Sequence, residues 1–250
     1  MMKEYNIRRI RNFIYRDIVL LRGAIITALS VVSILMFIVI LFSLRKDHLV
    51  SPGEFVSIFN KLYIISGILF IFSVLKEINN KTSNHLYVSL PVSSYERITA
   101  IWLTTGILYT IVFSFLCFLI GQFAIFIGSI FSETNFHLLP VFSEDFWTSI
   151  KFYFFIQPVF LYGAVTFNKN RIGKTILSVL LIVLGLIFFN MMLYGMLNYG
   201  YDVFSGEELA SEAFSLASKD FSGIEKLLFV GVFVSTMLLA TYFKIVEKEV

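Results

Sequence analysis

Charge is what this sequence has least of for its length: Asp, Glu, Lys and Arg make up 15% of 250 residues, against about a quarter in an average soluble domain. Too few charged side chains are present to cover a water-exposed surface, which argues against a soluble globular protein. Cysteine is down to one residue, Cys117, set in an apolar run, and a single thiol excludes both a disulfide framework and a cysteine-based metal site. Histidine is scarce and scattered: His48, His85 and His137 fall in three different loops. With no HExxH pattern and no paired carboxylates in an apolar run, the ligands of a zinc hydrolase are missing.

Apolar residues fill the place of the missing charge. They reach 58% of the chain, with 29 Phe and a mean hydropathy of +0.84. The pattern predicts an all-α integral membrane protein with six transmembrane helices, at about 23–44, 55–75, 98–131, 146–167, 175–199 and 224–246. Each has the roughly 20 residues that cross about 30 Å of hydrocarbon at 1.5 Å per residue. The third stretch is too long for one straight crossing, so it must tilt, protrude or break near Gly121 and Gln122. The chain reads as one transmembrane domain over 1–250.

Lys and Arg fix the expected orientation. Fourteen of the twenty lie on the side of the N-terminus and six on the other, whereas the acids divide six and eleven. This positive-inside bias places both termini in the cytoplasm of a multi-pass protein of the plasma membrane. The basic start of the chain lacks a small-residue cleavage site after its apolar run, so the first span is expected to stay.

Residues 1–22 carry Ile7, Ile10, Ile14, Ile18 and Leu21 at helical spacing, with Arg8, Arg9, Arg11, Asn12 and Arg16 among them. That pattern predicts an amphipathic helix lying in the membrane interface, its arginines meeting anionic lipid headgroups or setting topology. Between the second and third spans, the cytoplasmic connection 76–97 ends in Leu90, Pro91, Val92, Ser93, Ser94, Tyr95, Glu96 and Arg97. Pro91 stops what precedes it, and Ser93 with Glu96 three residues later forms a capping box that starts the next helix. The connection is longer than a cap needs and partly apolar, which points to docking of another protein. On the opposite side, the loop 200–223 repeats the cap pattern at Ser205 and Glu208 and predicts a helix over about 206–221.

The basic amphipathic start, six spans with both ends inside, and a first cytoplasmic loop carrying Leu90, Pro91, Val92, Ser93 and Glu96 just before the third span together resemble the permease subunits of type-2 ATP-binding-cassette transporters. The resemblance covers most of the chain in layout and Leu90–Arg97 in motif. It implies a membrane-spanning half-transporter that pairs with a second permease, identical or not, and with separate ATPase subunits. In that family, the first cytoplasmic loop would receive the ATPase and residues 1–22 would form the connecting helix. ATP and magnesium would be held by the partner, with no cofactor on this chain.

Enzyme motifs are absent. Gly173, Lys174 and Thr175 imitate the end of a phosphate-binding loop, but Asn168 stands where the first glycine is required. Ser66, Ser114 and Ser178 lie at membrane depth with neither a histidine partner nor a Gly-x-Ser-x-Gly setting. Lys61 and Lys151 sit within about two turns of the outer ends of their spans and can snorkel to the interface. The spans therefore lack the deep charges of a proton relay. Gln122, Gln157 and Asn190 either line a pathway or tie helices together by hydrogen bonds, with Pro158 able to kink the span beside Gln157. The abundance of Phe points to a hydrophobic or amphipathic substrate. The expected function is the permease subunit of an ATP-driven exporter, with lipids as neighbours and no nucleic acid. The alternative is a membrane-embedded interaction or immunity protein that binds a peptide or toxin without transporting it.

Overall fold

Among the described residues of the computed structural model, 6–47, 52–76, 78, 90, 92–131, 143–197 and 224–249, all regular secondary structure is helical. These residues hold seven α-helices: α1 Ile7–Asp47, α2 Pro52–Val74, α3 Ser94–Trp102, α4 Tyr109–Phe131, α5 Glu144–Thr166, α6 Arg171–Leu197 and α7 Ile224–Glu249. A π turn, Leu103–Leu108, joins α3 to α4, so that the rod from Ser94 to Phe131 runs without a gap.

Local chemistry starts the helices. Asn6 accepts the Arg8 N–H through its Oδ1 at 2.9 Å, capping α1. Ser93 caps α3 and Ser143 caps α5, each hydroxyl accepting the N–H three residues on at 3.3 Å. Such side chains satisfy amide donors that the first turn leaves unpaired. The turn between α5 and α6 is short, and Asn170 closes it at φ 48°, a left-handed conformation that asparagine tolerates better than most residues.

Helix α5 is the axis of the bundle, packed against α2, α6 and α7, while α1 lies across α2, α3 and α4. In lipid, apolar burial drives helix association weakly, so small residues and hydrogen bonds carry the contacts. A side chain at Gly163 would collide with Thr175 of α6, and one at Gly67 with the rings of Tyr153 and Tyr109. Around that second contact, Phe59, Tyr63, Tyr109, Phe113, Phe146 and Tyr153 form a connected aromatic cluster, with linked ring centroids 5.0 to 5.8 Å apart.

Among the described residues, three helical stretches have the length and apolarity to cross a bilayer: Ser94–Phe123, Arg171–Leu193 and Leu228–Lys248. Helix α1 makes a fourth if its two halves, which meet at 60° between Gly23 and Ile25, are one span. These define a helical membrane protein. The second and fourth expected spans are less clear-cut. The apolar part of α2 is the shorter Phe59–Val74, and α5 opens with Glu144 and Asp145 and carries Lys151.

Other expectations change in detail. Residues 7–22 and the first span share one continuous helical assignment, which bends by 60° between Gly23 and Ile25, at the expected boundary. The face α1 buries runs through Ile10, Phe13 and Asp17, while Ile7 is 75% exposed. The third span keeps its helix through Gly121 and Gln122 and departs from α geometry at Leu103–Leu108 instead. The helix expected over 206–221 and residues 79–89 of the cytoplasmic connection lie outside the described residues.

Candidate functional site

The start of α1, the end of α2, the start of α3, the α5–α6 turn and the end of α7 converge at one end of the bundle. Arg171 donates from Nη1 to the Leu75 carbonyl at 3.1 Å, and Lys248 donates from Nζ to Asn168 Oδ1 at 3.0 Å. Tyr95 of α3 stacks on Tyr242 of α7, with centroids 4.3 Å apart and planes 18° from parallel. Bonds between residues as far apart as 96 positions thus close this end.

At its centre is Glu96. The carboxylate is fully buried and accepts two backbone N–H groups, from Ser93 at 2.8 Å to Oε2 and from Asn6 at 2.7 Å to Oε1. The first bond completes the capping box of α3. The second ties the first turn of α1 to that box. Glu96 is therefore a clasp between two helix N-termini, and both N-terminal partial positive charges favour its carboxylate.

Of the residues expected to meet an ATPase, the structure places Glu96 and Arg97 inside, at 0% and 1% exposure, and leaves Tyr95 outside at 61%. Val92, Ser93 and Ser94 are half-buried, and Val92 donates its N–H to the Leu90 carbonyl at 2.7 Å. Pro91 lies outside the described residues. The exposed Tyr95 and the half-buried Tyr242 form the stacked pair at this end, and Glu96 fixes the start of α3 that carries Tyr95.

The arginines of the first helix divide. Arg8 and Arg11 are exposed, Arg9 and Arg16 half-buried. Arg16 pairs with the buried Asp17 at 3.1 Å and lies over the Phe13 ring at 5.9 Å.

Farther along the bundle, the three amides separate in role. Gln157 is fully buried and donates from Nε2 to Thr105 Oγ1 at 2.7 Å and to the Trp102 carbonyl at 3.4 Å. Gln122 has both amide atoms buried without a protein partner. Asn190 stands exposed on α6, away from the other two. Lys61 and Lys151 are likewise exposed on the bundle surface.

Sequence reasoning passed over a buried hydroxyl network. Tyr63 shares a hydrogen bond with Thr110 at 2.7 Å, and Tyr109 donates to the Tyr63 carbonyl at 2.6 Å. Ser66 donates to the Leu62 carbonyl at 2.5 Å and lies 2.8 Å from Tyr109 Oη. Tyr153 donates to the Thr105 carbonyl at 2.8 Å. The signal was a set of hydroxyl side chains inside apolar runs, Tyr63, Ser66, Thr105, Tyr109, Thr110 and Tyr153. Ser66 serves this network and has no base beside it. Cys117 is 2% exposed. No group of residues able to hold a metal ion occurs among the described residues.

On the outer side of the same helices, a groove of about 640 Å³ runs between α4 and α5, lined by apolar side chains with Thr110 and Ser114 as the polar exceptions. Its size falls in the range of small-molecule pockets, about 300–1,000 Å³.

Compared with family models, curated proteins and solved structures, the chain matches none.

Proposed function

We propose that this chain is the permease subunit of an ATP-driven exporter of the type-2 ATP-binding-cassette kind. In this reading it crosses a bacterial plasma membrane six times with both termini in the cytoplasm. It pairs with a second permease and moves a hydrophobic or amphipathic substrate, while a separate ATPase holds ATP and magnesium. The observation that carries the reading is the clasp at the basic end. A short capped helix start with one exposed aromatic face is fixed to α1 by Glu96 and to α7 by the Tyr95–Tyr242 stack. A push on that face is passed to two other helices without loss in a loose loop, as an energy-coupling element requires. The basic residues gathered there agree with a cytoplasmic location.

The mechanism follows from that geometry. The ATPase would press on Tyr95 and the connection before Leu90. Glu96 would hold the start of α3 against α1, and the rod from Ser94 to Phe131 would carry the displacement to the groove between α4 and α5.

The test is a mild-detergent pull-down of the tagged chain from its native cells, followed by mass spectrometry and an ATPase assay. The expected result is a co-purifying nucleotide-binding subunit whose recovery falls at least tenfold with Tyr95→Ala. Recovery of the chain without any ATPase, in several detergents, refutes the permease reading and favours a membrane protein that binds a peptide or toxin without transport.

A further inference from the structure

The π turn Leu103–Leu108 is held open from outside its own helix. Its signature is the Tyr109 N–H reaching the Thr104 carbonyl, five residues back. A turn this wide displaces backbone groups from the regular four-residue ladder, and side chains take up several of the carbonyls. Thr105 Oγ1 donates to the Ile101 carbonyl at 2.8 Å and Thr110 Oγ1 to the Gly106 carbonyl at 2.7 Å. Three more bonds come from two residues of α5: Gln157 to the Trp102 carbonyl and to Thr105 Oγ1, and Tyr153 to the Thr105 carbonyl. Gly106 lets α5 come this close, since a Cβ there would sit 3.0 Å from the Phe154 ring and 3.1 Å from the Gln157 amide.

The position of the turn gives it consequence. The clasped start of the rod, Ser93–Arg97, lies on one side, while Ile111, Ser114, Phe115 and Phe118, which face the groove, lie on the other. One extra residue in a turn is the amount by which a helix can change register without breaking. Converting the turn to α geometry rotates everything beyond it by about 100° and moves it about 1.5 Å along the axis relative to everything before it.

We propose that the π turn is a register switch, latched by Gln157 and Tyr153 of α5, whose release rotates α4 against the clasped α3 and swings the apolar lining out of the groove. π turns inside α-helices occur often at functional sites, and packed helices shift between discrete registers rather than deforming gradually. The two latch residues are positioning residues. The switch goes beyond the transport reading and stands without it.

The test reads distance and not transport. In a Cys117→Ala background, spin labels at Phe115→Cys and Lys151→Cys report α4 against α5 across the groove, and labels at Thr99→Cys and Tyr162→Cys report the clasped side. Gln157→Leu with Tyr153→Phe should add a second population displaced by about 8 Å at the groove pair, from a 100° rotation at a label radius of about 5–6 Å. The clasped pair should not move. Deleting Leu103 in the same double variant removes the extra residue and should abolish the second population. If the double variant does not fold, Gln157→Asn, one methylene shorter, takes its place. An unchanged groove distance, equal broadening at both pairs, or a second population that survives the deletion overturns the switch. Each of these results leaves the pull-down outcome untouched.

Discussion

Replacing Glu96 by alanine should loosen the whole basic end of the bundle, and the structure sets the size of the effect. Two backbone N–H groups, of Ser93 and Asn6, point at a fully buried carboxylate from 2.8 and 2.7 Å. Hydrogen bonds to a charged group contribute about 1.5–3 kcal/mol each. With the lower figure for each of the two bonds, Glu96→Ala costs about 3 kcal/mol. Glu96→Gln keeps one acceptor oxygen and should lose roughly half of that. Ser93→Ala, which removes the other arm of the box, should cost about 1 kcal/mol. At about 2–4 °C of melting temperature per kcal/mol for a chain of this size, the three variants should melt about 6–12, 3–6 and 2–4 °C below the parent protein. Trp102 and Trp147 supply the fluorescence signal in detergent. Glu247→Ala, which breaks the exposed 2.6 Å pair with Lys244, is the control and should leave the midpoint in place. A Glu96→Ala protein melting within about 2 °C of the parent would refute the clasp as a stability element, and with it the rigid transmission drawn from it.

Gly163→Leu should force α5 and α6 apart, because Thr175 occupies the space a side chain needs; the check is a drop in melting temperature larger than that of Gly185→Leu, where no neighbouring atom lies within 4 Å. Tyr63→Phe removes the bond to Thr110 and should cost about 0.6 kcal/mol, at most 1.7, as hydrogen bonds between membrane helices do, measured by unfolding in mixed micelles. Cys117 should resist a membrane-permeable maleimide in the folded protein and react fully once unfolded, since it is 2% exposed; rapid labelling of the native protein would show that the packing around Phe113 and Cys117 is wrong. Lys151→Leu should be neutral within about 0.5 kcal/mol, because the side chain is exposed and faces no acid of another helix among the described hydrogen bonds and ion pairs.

What was legible in the sequence was what depends on near neighbours. Ser93 and Glu96 announce their capping box because both partners lie within one turn. The same spacing could not disclose that the Glu96 carboxylate also holds Asn6, ninety residues away, nor that Glu96 and Arg97 are internal while Tyr95 faces outward. Apolar runs announced helices, and small and amide residues announced contacts: Gln157 does tie α5 to the third span. Burial of the α1 face was legible only in part, since the choice between Ile7 and Phe13 depends on which helices lie across it. The π turn was not legible at all. Leu103–Leu108 contains no residue type that demands it, and its stabilising partners, Tyr153 and Gln157, come from the next span.

Helix α6 touches the bundle through its first turns. Thr175 is buried against Gly163, and from Leu180 onward every residue whose exposure is described is exposed. Mechanically this is a beam fixed at one end. From Leu180 to Leu197 the free length is about 26 Å, so a tilt of about 10° at the base carries the tip about 4 Å sideways. Through that leverage, a difference of one methyl group at the Gly163 contact sets the position of the far end of α6 in the plane of the membrane.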